Sequence, residues 1–212
     1  MAFSRQHELG LPPVGFENIQ RYWDQRFQLP TAKILPGEYY VTEKNELIAT
    51  LLGSCISACI RDTVIGIGGM NHFMLPLNRK GSGWCEHSLT SMSTRYGNYA
   101  MEHMINDILK IGGRRCNLEA KIFGGGRIIS SMSDLGARNI EFVEGYLAIE
   151  GIPLVNKDVG DIHPRQVIYS PRSGKVRLKR LIRVANATIV QREEKYLTDL
   201  SHEEVSGEVE LF

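Results

Sequence analysis

The stretch 50–76, which reads TLLGSCISACIRDTVIGIGGMNHFMLP, constrains the fold more than any other part of the chain. It contains two short runs rich in isoleucine, 56–61 and 64–75, and only Asp62 and Thr63 lie between them. Two such runs separated by a short polar break predict a hairpin of antiparallel strands. The chain is therefore expected to fold back at Asp62 and Thr63, so that the two ends of the stretch become neighbours.

The predicted hairpin would bring a thiol and an imidazole together. Cys55 and His72 are 72 − 55 = 17 positions apart, but each lies about ten residues from the turn. A thiolate attacks carbonyl carbons and an imidazole handles the proton, so the pair predicts covalent acyl transfer with Cys55 as nucleophile and His72 as base. Gly53 permits a sharp bend and a close approach of substrate, and the backbone at Gly53, Ser54 and Cys55 is the candidate source of oxyanion donors.

Thr50 is the third candidate site residue. It lies in a predicted strand, 47–52, from which its hydroxyl can accept a hydrogen bond from the imidazole and fix the ring. Each of these three residues also has a purely structural interpretation. A free cysteine in an apolar run is usually a small core residue, a histidine is often structural, and a lone threonine suits a strand. Cys59, which has no adjacent glycine, is assigned to the core.

The segments TLLGSC, CIRD and GIGGMNHFMLP resemble the signature of the CheD family of chemoreceptor glutamine deamidases. Weaker similarity extends over roughly 33–181 through PGEYYV, KIFGGG, LGARN and VIYSPRSGKVRLK. The resemblance implies a protein-glutamine glutaminase that hydrolyses side-chain amides of selected glutamines on the cytoplasmic helices of methyl-accepting chemoreceptors. The products would be glutamate and ammonia, formed through a cysteine thioester without an external cofactor.

The same resemblance implies a Cys, His and Thr triad. Cys55 and His72 match two of its positions directly, and Thr50 is the natural third member. Upstream spacing varies by a residue in this family, and Ala49 occupies the neighbouring position. A CheC-type phosphatase is implied as a possible partner.

Composition excludes several other classes of protein. With 25 basic and 24 acidic residues the net charge is +1, which argues against nucleic-acid binding by bulk electrostatics. The four cysteines are too few and too scattered for a disulfide framework. No run of about 18 apolar residues and no secretory leader pattern is found, so we expect a cytoplasmic protein without direct membrane insertion.

Neither a metal site nor a nucleotide site is expected. Cys55 and Cys59 would lie about 13 Å apart on a strand, whereas two thiolates on one zinc ion must lie within about 4 Å. Cys85 with His87 stays open as an alternative metal pair. The glycines at 124–126 follow a predicted strand, but the segment lacks the Walker lysine. We therefore predict no cofactor.

The order of the predicted elements indicates a mixed α/β fold, with largely antiparallel sheets flanked by helices in a layered α/β sandwich. The segment 78–94 is polar and is expected to form a long surface loop beside the site. Helices are predicted at 96–111 and 136–151. Strands are predicted at 39–42, 47–52, 56–61, 64–75, 118–123, 153–159, 166–170 and 175–182.

Three regions are expected along the chain. Residues 1–30 form an N-terminal extension, in which aromatic and aliphatic side chains at near-helical spacing predict a short helix over 16–27. Residues 31–185 form the CheD-like deamidase domain, and His163 is expected to be a structural residue near its site. Residues 186–212 form an acidic tail, which begins with a short helix and is otherwise exposed. The sequence names no substrate-binding residue.

Two other function classes remain open. A cysteine amidase or protease acting on other proteins would keep Cys55 and His72 but would need a different groove. A non-catalytic chemotaxis adaptor would bind receptors or a CheC-type phosphatase and would not depend on the thiol.

Overall fold

Ten strands and three helices lie in the residues that the computed structural model describes, which are 9–76, 86–128, 134–182 and 187–202. A short 3₁₀ turn at Arg115–Asn117 precedes the seventh strand. In chain order the elements are β1 (Gln20–Asp24), β2 (Leu29–Lys33), β3 (Tyr39–Thr42), β4 (Leu47–Leu52), β5 (Ile56–Asp62), β6 (Gly68–Asn71), α1 (Glu86–Lys110), β7 (Leu118–Gly124), α2 (Leu135–Ile149), β8 (Leu154–Val159), β9 (Arg165–Tyr169), β10 (Val176–Arg180) and α3 (Ala187–His202).

The hairpin predicted from the sequence is formed by β5 and β6. These strands pair antiparallel, with Cys59 opposite Met70, and a bridge between Ile56 and Phe73 continues the register. The turn between them is longer than predicted, because residues 63–67 lie outside both strands. The Asp62 side chain accepts hydrogen bonds from two backbone N–H groups of this turn. Strand β6 is accordingly shorter than the predicted run of 64–75.

The strands form two five-stranded sheets. The first has the order β1-β2-β4-β9-β10 and the second the order β3-β6-β5-β7-β8. Each sheet contains one parallel pair, β2 with β4 and β7 with β8, and all its other pairings are antiparallel. Helix α2 makes the crossover between the parallel strands β7 and β8. The prediction of a mixed α/β fold is confirmed.

The first sheet contains residues that the sequence assigns to an extension. The helix predicted over 16–27 is wrong, because residues 20–24 form strand β1. Strand β1 pairs with β2, and β2 pairs with β4. The aromatic spacing fits a helix locally, but strand partners elsewhere in the chain determine the structure. The division into 1–30, 31–185 and 186–212 stays a prediction.

Helix α1 begins earlier than the sequence indicates. The loop predicted over 78–94 is wrong for residues 86–94, which form the first turns of α1, and residues 77–85 lie outside the described part of the chain. Polar residues without an apolar period resemble a loop, although an adjoining helix can extend through them. Helix α2 matches its prediction to within two residues at each end.

The most consequential difference between prediction and structure lies in 186–212, which was expected to be mostly an exposed tail. It begins with α3, a helix of 16 residues that packs on the domain. Ile189, Leu197 and Leu200 are buried on one face of α3, and Leu197 joins the main hydrophobic core. Within the described residues, no helix combines the length and hydrophobicity needed to cross a membrane.

Strand β4 shows how alternation places a site residue. Leu47 and Ala49 belong to a small cluster on one face of the first sheet, whereas Ile48 and Leu52 belong to the main core on the other face. Successive side chains of a strand point to opposite faces. Thr50 therefore lies on the same inner face as Ile48 and Leu52, where it is 4% exposed.

Gly124 at the end of β7 is the glycine whose replacement should disturb this architecture most directly. It has φ +109°, and an added Cβ would lie 2.2 Å from the Cys55 carbonyl oxygen. We expect Gly124→Ala to lower the free energy of unfolding by about 2–4 kcal/mol, measured by denaturant titration. Gly145→Ala, in α2 with nothing near the added Cβ, is the matched control and should be neutral or stabilising. Equal stability of the two variants would contradict this account.

Candidate active site

The hairpin brings Cys55 and His72 together with a third residue that the sequence does not indicate. The Cys55 Sγ, one imidazole nitrogen of His72 and a carboxylate oxygen of Glu193 lie within 4.8 Å of one another. All three residues are buried. Cys55 directly precedes β5 and His72 directly follows β6, so the antiparallel register accounts for the approach of the first two. Glu193 comes from α3, at the far end of the chain.

Thr50 determines which imidazole nitrogen carries the proton. Its Oγ1 lies 2.8 Å from the Ile34 carbonyl oxygen, to which the hydroxyl donates its only hydrogen. The same Oγ1 lies 2.7 Å from the His72 Nδ1 and must accept there. Nδ1 therefore carries the proton and Nε2 has a free lone pair. Among the described residues Nε2 has no hydrogen-bond partner, which leaves it available to the Cys55 thiol.

The main chain of His72 is fixed by the PGEYYV segment. The His72 N–H donates to the Glu38 carbonyl at 2.9 Å, and the Gly37 N–H donates to the His72 carbonyl at 2.8 Å. The ring is 1% exposed, and this burial lowers the pKa of His72 to about 3. At neutral pH the imidazole is therefore uncharged, which is the form required of a general base.

The backbone before Cys55 presents three N–H groups to one point. The carbonyls of Gly53 and Cys55 accept hydrogen bonds from the N–H groups of Gly126 and Gly125, at 2.8 Å and 2.7 Å. The N–H groups of Gly53, Ser54 and Cys55 converge on the Glu193 carboxylate, at 2.8, 2.6 and 3.2 Å. The glycines of 124–126 thus support the loop that carries the thiol.

The thiol itself is closed off from solvent. Cys55 is 0% exposed. This burial, and secondarily the charge of the nearby Glu193 carboxylate, raises the pKa of the Cys55 thiol well above its usual range. The described state therefore holds a neutral thiol beside a neutral imidazole.

Comparison with known proteins places these observations in a family. The family model described as "CheD chemotactic sensory transduction" matches residues 74–180. "Probable chemoreceptor glutamine deamidase CheD" of Halorhodospira halophila is 52% identical, and the match covers 93% of this chain and 92% of that protein. The protein of the same name from Hahella chejuensis is 52% identical, over 95% of each chain. This chain belongs to the CheD family. These matches are long enough to include the stretch from Thr50 to His72, although the family model begins after it.

Two asparagines hold the CheD site in place without having been predicted to do so. Asn139 donates from Nδ2 to the Ser54 carbonyl at 2.9 Å and accepts from the Leu75 N–H at 2.9 Å, so it joins the segments that carry Cys55 and His72. Asn71 accepts from the Ala58 N–H at 2.8 Å across the hairpin. Asn139 is a buried residue of the N-terminal part of α2.

The cluster of Cys55, His72 and Glu193 is also the candidate metal group among the described residues. A zinc ion there would bind the Cys55 sulfur and the His72 Nε2. Acyl transfer requires the same two atoms to be free. Both Glu193 oxygens already accept backbone N–H groups. We therefore interpret the cluster as a nucleophile, a base and a bound carboxylate. Of the alternative metal pair, Cys85 and the side chain of His87 lie outside the described part of the chain.

Two remaining candidates from the sequence lie apart from this cluster. Cys59 is 1% exposed within the main core, as predicted. His163 is partly buried, and its backbone carbonyl accepts a hydrogen bond from Arg165. Its imidazole is not part of the Cys55, His72 and Glu193 group.

The buried imidazole should make stability depend on pH. The folded pKa of His72 is about 3, and that of an unfolded histidine is about 6.5. Between these values the unfolded state binds more protons, so stability falls as the pH falls, by up to about 1.4 kcal/mol per pH unit from this residue. We expect unfolding titrations from about pH 6 to about pH 4 to show a steeper loss for the wild type than for His72→Gln.

The exposed His103 supplies the control for this measurement. His103→Gln should keep the acid dependence of the wild type. Parallel stability profiles for the wild type and His72→Gln would show that His72 is not held neutral in the fold.

Proposed function

We propose that this protein is a chemoreceptor glutamine deamidase, in which Cys55 is the nucleophile, His72 the base and Thr50 the residue that positions the base. One observation carries the proposal: the Thr50 hydroxyl fixes the proton on His72 Nδ1 and so leaves Nε2 free, in an imidazole that has a nitrogen within 4.8 Å of the Cys55 Sγ. The names of the relatives supply the substrate class, glutamine side chains of chemoreceptors.

The geometry supports a two-step hydrolysis. His72 Nε2 takes the proton of the Cys55 thiol, and the thiolate adds to the side-chain amide carbon of a glutamine. The carbon–nitrogen bond breaks, and the imidazolium gives its proton to the departing ammonia. Water deprotonated by the same imidazole then attacks the thioester, releasing glutamate and restoring the thiol. The net reaction consumes one water for each amide.

The N–H groups of Gly53, Ser54 and Cys55 are suited to stabilise the oxyanion of this reaction. They converge on one buried point within reach of the thiol, where they hold a carboxylate oxygen pair. Donors fixed in advance in a site without water stabilise developing charge strongly. The peptide units that carry the Ser54 and Cys55 N–H groups are held without any substrate, because the Gly126 N–H donates to the Gly53 carbonyl and the Asn139 side chain donates to the Ser54 carbonyl.

The proposed substrates are glutamines on the cytoplasmic helices of methyl-accepting chemoreceptors, so the proposed place of action is the cytoplasm. Binding of a CheC-type phosphatase also stays a prediction. A non-catalytic adaptor is the alternative function, but it would not require the arrangement of Thr50, His72 and Cys55.

Mass spectrometry of receptor fragments tests the proposal. Incubation with the wild type should add about one mass unit to each modified glutamine, because an amide NH₂ is replaced by a hydroxyl. Cys55→Ala should abolish the gain. Cys59→Ala, which removes a buried core thiol outside the cluster, is the matched control and should retain activity. A gain that persists in Cys55→Ala, or no gain with the wild type under conditions in which its Cys55 thiol is accessible to alkylation, would refute the deamidase function.

Thr50 can be tested by a conservative pair of variants. Thr50→Val removes the hydroxyl and leaves Nδ1 without its acceptor, and loss of a buried hydrogen bond of about 1–3 kcal/mol predicts a fall in kcat of about 5- to 160-fold. Thr50→Ser keeps the hydroxyl and should retain most of the activity. Equal loss in both variants would show that Thr50 contributes packing rather than positioning.

A further inference from the structure

Glu193 is a buried charged group beside Cys55 and His72 that the reaction described above does not use. It lies on the inner face of α3 between Ile189 and Leu197, and it is 1% exposed. An apolar stripe on a helix normally packs apolar side chains alone, because burying a charge is unfavourable unless it is compensated. Here the compensation comes from the three backbone N–H groups of Gly53, Ser54 and Cys55.

The fit between Glu193 and the loop is close. A Cβ added to Gly53 would lie 2.7 Å from the Glu193 Oε2 and 2.9 Å from its Cδ. Only a glycine at this position lets the carboxylate reach the main chain. Gly37 has a similar role at the next turn of the helix, because a Cβ on Gly37 would lie 3.0 Å from the Tyr196 ring. Tyr196 also hydrogen-bonds through its hydroxyl to Tyr96 of α1.

The chemical identity of the bound group is informative. A glutamate side chain presented by a helix is the product that forms when a glutamine on a helix loses its amide nitrogen. Its carboxylate lies on the N–H groups suited to the oxyanion and within 4.8 Å of the Cys55 Sγ and a His72 nitrogen. Nothing in the packing of α3 alone requires a carboxylate at this point of an apolar stripe.

We propose that the surface under α3 is the binding site for the substrate helix, and that α3 occupies it in cis as a mimic of the product, with Glu193 in the place of the newly formed glutamate. This inference rests on the proposed deamidase function. On this inference the substrate is a helix, and it would lie against the main chain at Gly37 and Gly53, where α3 now lies. Helix α3 must also leave before a receptor helix can bind, so the described state is closed.

Closure accounts for the buried thiol. A receptor glutamine cannot reach a sulfur that is 0% exposed, and the Glu193 charge opposes formation of the thiolate beside it. Departure of α3 removes both obstacles together, because Glu193 belongs to the helix whereas Cys55 and His72 belong to the hairpin. A receptor helix would then compete with α3 for the same three N–H groups.

The first test measures access to the thiol in the full-length protein. Glu193→Ala removes the carboxylate, and we expect the rate of Cys55 alkylation by iodoacetamide to rise by about tenfold or more, read by peptide mass spectrometry. Glu194→Ala is the matched control, because Glu194 is the exposed neighbour on the same helix, and its rate should equal that of the wild type. Cys59 reports on folding in the same samples, since it stays unreactive while the core is intact.

The second test asks whether the position of Glu193 is that of a substrate. Glu193→Gln places an amide against the same N–H groups, and Cys55 should hydrolyse it, converting the introduced glutamine back to glutamate with a gain of about one mass unit. The conversion should be absent in the double variant with Cys55→Ala. Glu194→Gln, at the adjacent position, should keep its glutamine, which excludes spontaneous deamidation.

These outcomes separate the inference from the proposed function. Unchanged Cys55 alkylation in Glu193→Ala overturns the inference and leaves the deamidase function standing. The same holds if the glutamine introduced by Glu193→Gln persists in a preparation that deamidates receptor fragments. Lower receptor activity in Glu193→Ala than in Glu194→Ala, with Cys59 still protected, also overturns the inference, because Glu193 would then support catalysis. If receptor fragments and the introduced glutamine are both inert while the thiol is accessible, the deamidase function itself fails.

Discussion

The orientation of three consecutive peptide units, at Gly53, Ser54 and Cys55, is the constraint on which the rest of this structure depends. The Gly126 N–H donates to the Gly53 carbonyl and so fixes the peptide unit that carries the Ser54 N–H, and the Gly125 N–H holds the Cys55 carbonyl beside it. Asn139 holds the remaining carbonyl, that of Ser54. The donors of this loop are therefore fixed before any substrate arrives. The groups that fix them belong to helix α2 and to the glycines at the end of strand β7.

A second fixed element is the proton on the imidazole. The Ile34 carbonyl accepts the Thr50 hydrogen, Thr50 accepts the Nδ1 hydrogen, and Nε2 is left as the basic atom. In the proposed triad a threonine takes the place that an asparagine or an aspartate has in other thiol enzymes. The orienting group on Nδ1 is therefore uncharged, and burial keeps the pKa of His72 at about 3.

The parts of the site that could be predicted from the sequence are those joined by short loops. Cys55 and His72 come together through one hairpin, and the alternation of β4 places Thr50 on the face of the first sheet that packs on the main core. The periodicity of apolar residues along a strand or helix predicts local relations of this kind directly. The helix predicted over 16–27 was wrong because β1 acquires its structure from pairing with β2, which no period within 16–27 reveals.

Glu193 could not be predicted for a related reason. It reaches Gly53 across 140 positions of sequence, and its neighbours Glu194 and Lys195 make the segment resemble an exposed charged tail. The signal that was present is the spacing of Ile189, Glu193, Leu197 and Leu200, in which one acidic residue lies in phase with the apolar ones. An acid on the apolar face of a helix predicts a buried partner, but it does not say where that partner lies.

The burial of the Cys55 sulfur has a consequence for the survival of the protein between catalytic events. Peroxide and other oxidants attack the thiolate form of exposed cysteines and convert it first to the sulfenic acid and then to irreversible products. In the closed state the sulfur is both protonated and out of reach. Under the proposed closure, the helix that withholds the thiol from substrates also shelters it from oxidative damage, so an idle molecule keeps its proposed nucleophile intact.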